Sequence, residues 1–246
     1  MAPLKLMVLD MAGTTVRDQH EVEACFAQAA TATGLHATPE RILAVQGQTK
    51  RFVFETLWCE QLGATAPSER LMGHVDHSYQ VFRNVLEAHY RTQPVVPTEG
   101  CLELFAYLKN QGIRIALTTG FYRAVTDLIL RRLGWDAGLD SHRKGTAYSI
   151  IDLSIASDEV AEGRPAPRMI QKAMQTFGIT DPQQVYNVGD TPSDLESGRR
   201  AGCGRSLGVT NGTHSRQMLA QCPNDGLFAS LTDLSGHLQA RLELAQ

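Results

Sequence analysis

The stretch Leu4-Lys5-Leu6-Met7-Val8-Leu9-Asp10-Met11-Ala12-Gly13-Thr14-Thr15 is a short apolar run that stops at a carboxylate and passes into small, turn-forming residues. An apolar run of this length, bounded by a turn, reads as a strand buried on both faces. Three more runs end in the same way: Ile113–Leu117 before Thr118-Thr119-Gly120, Ile150–Ile155 before Ser157-Asp158, and Val185–Val188 before Gly189-Asp190. A fifth, Ser206–Val209, precedes Thr210-Asn211-Gly212. Helical patterns occupy Gly100–Gln111, Tyr122–Leu133, Pro165–Phe177 and Ser193–Ala201. Strands alternating with helices predict an α/β fold, a Rossmann-like parallel sheet covered on both faces. In open sheets of this kind, sites gather at the carboxyl ends of the strands. Here those ends carry Asp10, Thr119, the turn before Arg164, and Asp190.

One interval breaks the alternation. Between Asp10 and Ile113 lies far more chain than the dozen or so residues of a single crossover. Its pattern is helical over Glu21–Thr33, Pro39–Val45, Arg51–Leu62 and Ser68–Arg91, and Pro94 and Pro97 close it. The expectation is a helical cap, residues 17–96, inserted into a core made of residues 1–16 and 97–246 and lying over the strand ends.

Composition narrows the classes further. The chain has 246 residues, 43% of them hydrophobic and 20% charged, which excludes disordered, collagen-like and coiled-coil readings. Lys+Arg number 23 against 26 Asp+Glu, with no long run of either sign, so neither nucleic acid nor an anionic membrane is indicated as a partner. The five cysteines are scattered and form no Cys-x-x-Cys pair, as expected of free thiols in a reducing compartment. The N-terminal run lacks a signal-peptide pattern, and no stretch has the length of a membrane span. A cytoplasmic location is expected.

Each strand-end motif has a chemical reading and a plainer one. Asp10 suits a nucleophile towards phosphorus or a ligand of Mg²⁺, with Gly13 and Thr14 bringing backbone N–H groups towards phosphate oxygens. Taken alone, it also fits a helix N-cap. Thr118-Thr119-Gly120 offers a hydroxyl and backbone donors. Arg164, in Gly163-Arg164-Pro165-Ala166-Pro167, puts a cation just before a helical pattern, where it either neutralises a phosphoryl group or sits on the surface. Asp190 and Asp194 are two acids four residues apart beside a strand end, suited to a hard cation, with an N-cap role competing for Asp190.

The order Asp, Thr, Arg, Asp/Asp at successive strand ends resembles the haloacid dehalogenase-like superfamily of phosphohydrolases, over the whole chain and with the insertion where that superfamily places a helical cap. Most of its phosphatases carry a second aspartate two residues after the nucleophile; here the residue is Ala12. Most have lysine in the third motif; here it is Arg164. Asp10–Thr14 and Ser157–Pro165 look like the phosphonoacetaldehyde hydrolase (phosphonatase) branch. In that branch a cap lysine in a Gly-x-x-Lys arrangement forms a Schiff base with an aldehyde, and Gly47-Gln48-Thr49-Lys50 has this arrangement. A solvated helix lysine is the competing reading of Lys50.

The resemblance implies Mg²⁺-dependent hydrolysis through an aspartyl-phosphate. Asp10 is then nucleophile and metal ligand; the Ala12 carbonyl, Asp190 and Asp194 complete or orient the metal site; Thr119, Gly120 and Arg164 hold the phosphoryl group. The substrate class is a small phosphonate or phosphorylated molecule, and a homodimer through the cap is implied. Two departures bear on the substrate: Val53 stands where the branch has a histidine, and Phe121 where it has an aromatic hydroxyl. A phosphomonoester phosphatase and a low-turnover phosphate-binding module remain as alternative readings.

Overall fold

The computed structural model describes residues 3–45, 47–63 and 68–243, with side chains described through 240. Its centre is a six-stranded, all-parallel sheet. The strands are β1 (Leu6–Asp10), β2 (Arg114–Thr118), β3 (Leu153–Ile155), β4 (Val185–Gly189), β5 (Arg205–Val209) and β6 (Leu227–Phe228), in the order β3-β2-β1-β4-β5-β6. The central strand, Leu-Met-Val-Leu-Asp, is buried throughout. Its side chains alternate between two apolar clusters. Met7 and Leu9 join one with Phe105, Leu117 and Val188; Leu6 and Val8 join the other with Ile155, Met169 and Ile170. Each such fully buried aliphatic side chain contributes about 1.5–3 kcal/mol relative to exposure.

The sequence order reverses at β1: the chain runs outward through β2 and β3, then returns to build β4 to β6 on the other side. A crevice therefore opens at the carboxyl ends of β1 and β4. Leu9 is in register with Val188 on β4, and Asp10 with Thr118 on β2. That register brings Asp10, Thr119 and Asp190 to one edge of the sheet.

Between β1 and β2 the chain forms α1 (Glu21–Thr33), α2 (Pro39–Ala44), α3 (Lys50–Leu62), α4 (Glu69–Thr92) and α5 (Cys101–Asn110). The first four pack on one another around Phe26, Phe54 and Phe82, whose ring centroids lie 4.3–5.9 Å apart. A buried polar chain ties three of them. Trp58 Nε1 donates to Ser78 Oγ at 2.9 Å, and Ser78 Oγ donates to Thr33 Oγ1 at 2.8 Å. The chain leaves and re-enters the sheet side by side. Val16 bridges Pro97, Arg17 N donates to Val96 O at 3.0 Å, and Thr98 N donates to Thr15 O at 3.0 Å. The C-terminal half of α4 rests on α6 (Arg123–Leu133), where Tyr122 Oη donates to Glu87 and the Arg83 guanidinium lies over the Tyr122 ring.

The remaining helices are α7 (Arg168–Phe177), α8 (Pro192–Ala201), α9 (Arg216–Leu219) and α10 (Leu231–Glu243). Most boundaries fall within one or two residues of the sequence pattern, and two elements start three residues later. The third strand begins at Leu153 rather than Ile150, because the Asp152 carboxylate turns to accept from Arg114 and from Ile115 N. The helix after Arg164 begins at Arg168 rather than Pro165, because Ala166 N closes a turn onto Gly163 O. All five cysteines are unpaired. No described helix is long and apolar enough to cross a membrane.

Candidate active site

Asp10 ends β1 with its side chain buried, and Thr15 Oγ1 pins the strand end by donating to Asp10 O at 2.8 Å. The Arg164 guanidinium spans two carboxylates, donating from Nη2 to Asp10 Oδ1 and from Nη1 to Asp194 Oδ1. The other oxygen of Asp194 is fixed by the start of α8. Asp194 Oδ2 accepts from Thr191 N at 3.1 Å and Thr191 Oγ1 at 2.6 Å, while Thr191 Oγ1 accepts from Asp194 N. This is a capping box, so Asp194 both caps a helix and anchors the arginine. Asp190 is fully buried and is not the cap. Thr14 Oγ1 donates to its Oδ1 at 3.0 Å, and Thr213 donates to Oδ2 from N at 2.7 Å and from Oγ1 at 2.8 Å.

Asp10, Asp190 and Asp194 each bring a carboxylate oxygen within 4.8 Å of the others. Three buried carboxylates with no histidine or cysteine among them form a donor set for a hard, oxygen-seeking divalent cation. Burial raises the Asp10 pKa to about 6, with Arg164 opposing the rise and Asp190 adding to it. Burial likewise raises that of Asp190, against the donors from Thr213 and Thr14. A bound cation would return both to full ionisation.

Gly13 and Thr14 stand elsewhere than the sequence pattern suggests. Neither lines the cavity. Gly13 N donates to Val16 O and Thr14 N to Met11 O, so both N–H groups are spent inside the turn. Gly13 has φ +88°, and a Cβ there would fall on the Asp190 carboxylate. Its role is to let that carboxylate in, and the role of Thr14 is to hold it.

The cavity itself is bounded by Asp10, Ala12, Thr119, Gly120 and Arg164 on the sheet side, and by Asp18, Val22, Gly47 and Lys50 on the insertion side. Thr119 Oγ1 accepts from Phe121 N at 3.1 Å, which fixes the turn after β2. Lys50 is the first residue of α3, is only 5% exposed, and faces the sheet-side residues across the cavity. Burial lowers its pKa to about 8, with the Asp18 carboxylate opposing and Arg164 assisting. The innermost space of this partly open cavity is about 30 Å³, room for about two waters. The insertion closes over it along three glycines. A Cβ on Gly47 would meet Thr191 Oγ1, one on Gly120 would meet Gln48 O, and one on Gly163 would meet Thr49 Oγ1.

Two residues of this site escape the motif reading. Asp18 sits ahead of the first helical pattern, where an acid followed three residues later by Glu21 signals a helix start; it does cap α1, accepting from Glu21 N and Val22 N at 2.8 and 3.3 Å. Nothing in that signal announces that the side chain also lines the cavity. Thr213 lies in the run Thr210-Asn211-Gly212-Thr213-His214, which carries turn chemistry only, and its contact with Asp190 spans 23 residues of sequence.

The site thus combines an acid at the tip of β1, an arginine bridging two carboxylates and a helical insertion over the ends of a parallel sheet. A family model of haloacid dehalogenase-like hydrolases matches residues 4–202, and the chain belongs to that family. A phosphonoacetaldehyde hydrolase of Latilactobacillus sakei is 39% identical over 105 residues, covering 43% of this chain and 36% of the relative. One of Bacillus cereus is 30% identical over 143 residues, covering 54% and 48%. The chain thus spans about half or less of the curated relatives it matches. The solved structure of a phosphonoacetaldehyde hydrolase-like protein from Oleispira antarctica shares the fold, with a TM-score of 0.76 at 18% identity over 97% of this chain and 92% of that one.

Proposed function

We propose that this hydrolase cleaves the carbon–phosphorus bond of a small phosphonate aldehyde such as phosphonoacetaldehyde. The observation that carries the reading is Lys50: a buried amine with a lowered pKa, on the wall of the same cavity as Asp10 and Arg164. A phosphate ester leaves as an alkoxide, which a nearby acid assists by protonation. A carbon–phosphorus bond leaves as a carbanion, which has no leaving oxygen to protonate and needs an electron sink instead. An aldehyde oxygen is too weak a base to be a good one. Condensing the aldehyde with Lys50 gives an iminium that accepts the electron pair, so the carbon departs as an enamine. Ala12 in place of an acid fits this chemistry and argues against efficient hydrolysis of unactivated esters.

In this reading Asp10 attacks phosphorus and water then hydrolyses the aspartyl-phosphate. Arg164, whose Nε is buried and lacks a partner among the described residues, offers a remaining donor to the phosphoryl oxygens alongside Thr119 and Gly120. Asp10, Asp190, Asp194 and the Ala12 carbonyl would hold Mg²⁺, which when bound offsets the negative charge of carboxylate and phosphoryl group. Residues 17–96 serve as a cap, which supplies Lys50 to the cavity. Pairing of two chains through the cap belongs to the same reading.

Sodium borohydride added with phosphonoacetaldehyde should label the wild type irreversibly at Lys50 and leave Lys50→Arg unlabelled, since guanidinium forms no imine. The variant should lose carbon–phosphorus cleavage while keeping some hydrolysis of an aryl phosphate. Undiminished cleavage without labelling would replace this reading with another.

A further inference from the structure

The carboxylates on the cavity wall are Asp10 and Asp18, and Asp10 is tied to Arg164. Asp18 is 8% exposed, and two backbone N–H groups of the first turn of α1 hold its Oδ1. The Glu21 carboxyl lies within hydrogen-bond reach of it. Lys50 lines the same cavity, and of the ionised groups around that amine the Asp18 carboxylate acts on it most strongly.

Carbonyl condensation needs a group that both gives and takes a proton, because oxygen must leave as water while nitrogen sheds a proton. The other wall residues near Lys50 do not supply one. Ala12, Val22 and Phe121 carry no titratable group, and the Thr191 and Thr213 hydroxyls donate to Asp194 and Asp190. The Thr119 hydroxyl is far too weak an acid and is engaged with Phe121 N. We propose that Asp18 is a catalytic residue, the acid–base group that moves the protons as Lys50 condenses with the carbonyl of the substrate. The proposal rests on the Lys50 imine reading above.

The steps balance as follows. The neutral amine adds to the carbonyl carbon, the C=O π electrons move to oxygen, and protonated Asp18 gives that oxygen its proton. The resulting carboxylate takes a proton from the now cationic nitrogen, leaving a neutral carbinolamine. Asp18 returns this proton to the hydroxyl, which departs as water while the nitrogen lone pair forms C=N⁺. One water is released, and Asp18 ends as a carboxylate facing a cationic iminium. Burial, reinforced by the neighbouring Glu21 carboxyl and by Asp190, raises the Asp18 pKa to about 7, so both of its forms are populated near neutrality.

Capping α1 is a separate duty, and an amide oxygen performs it as well as a carboxylate oxygen. Asp18→Asn therefore keeps the helix start and removes the mobile proton, along with a charge whose loss by itself would leave more Lys50 as the free amine and speed labelling. Wild type, Asp18→Asn and Asp18→Ala are each mixed with phosphonoacetaldehyde and cyanoborohydride, at a reductant concentration where labelling no longer depends on it. Label at Lys50 is followed by mass spectrometry. We expect Asp18→Asn to melt near the wild-type temperature yet label about 10²–10⁴-fold more slowly. Asp18→Ala should also label slowly and regain rate in proportion to added formate, a small acid that a purely structural role would not respond to. Equal labelling rates for wild type and Asp18→Asn would overturn the assignment of Asp18 and leave Lys50 in place. Absence of label in the wild type would overturn the Lys50 reading and this proposal with it.

Discussion

The two walls of the cavity accommodate buried polar groups by different means. On the sheet side, charge is matched by charge or by a row of donors: Arg164 spans Asp10 and Asp194, Thr191 grips the far oxygen of Asp194, and Thr14 and Thr213 hold Asp190. On the insertion side, Lys50 and Asp18 are governed first by burial, which drives each towards its neutral form. Burial raises the pKa values of Asp10 and Asp190 as well, but on the sheet wall Arg164 and the donors from Thr14 and Thr213 oppose it. The insertion wall leaves Asp18 and Lys50 nearer neutrality, where protons can move. In-line attack at phosphorus needs the first property and carbonyl condensation needs the second.

This contrast can be broken by experiment, and the largest effect is expected at Asp10. Asp10→Asn is nearly isosteric and should fold with its neighbours intact, but an amide is no nucleophile towards phosphorus. Turnover should fall by about 10⁴-fold or more, the scale seen when a nucleophile is removed. Wild-type turnover by this variant would assign the attack to another group. Next in size is the cation. Stripping divalent ions with EDTA should lower turnover on the order of 10²–10³-fold, and Mg²⁺ should restore it. Full activity in the stripped protein would mean that Arg164 alone manages the charge on the sheet wall.

The smallest effect sharpens the insertion side. Lysine attacks as the free amine, and the free amine grows as pH rises through the pKa. With that value lowered to about 8, about a tenth of Lys50 is neutral at pH 7, against well under a thousandth for an ordinary lysine. Asp18→Asn removes the carboxylate that holds this value up, so the rate of borohydride labelling in that variant should climb by no more than about tenfold above pH 7 and level by about pH 9. A rate still climbing steadily at pH 10 would mean that burial does not tune this amine.

Most of the sheet wall is legible in the sequence because each of its residues ends an apolar run at a turn. Asp10, Thr119 and Asp190 are therefore located by the strands themselves, and Asp194 follows Asp190 at the start of a helix. The strands β1, β2, β4 and β5 stand out for the same reason. The short β6 and α9, and the weakly patterned α10, carry too few periodic residues to be read. Asp18 illustrates a different obstacle. Its local pattern has a complete structural explanation in the cap of α1, and its second role depends on the path that brings α3 back across the strand ends. Gly13 shows the converse: its place beside a phosphate-like turn is visible, but only the position of Asp190 reveals what the missing side chain makes room for.

Where the insertion meets the sheet beside the cavity, Gly47, Gly120 and Gly163 bring the opposing chains together without side chains of their own between them. On the far side, Tyr122, Glu87 and Arg83 interlock α4 with α6, and Arg132 reaches the carbonyls of Arg91 and Gln93. The two edges differ mechanically. Parting the glycine edge requires no rotamer to change first, whereas parting the interlocked edge breaks an aromatic and ionic cluster. Separation along the glycine edge therefore disturbs fewer side chains than separation along the edge that α4 shares with α6.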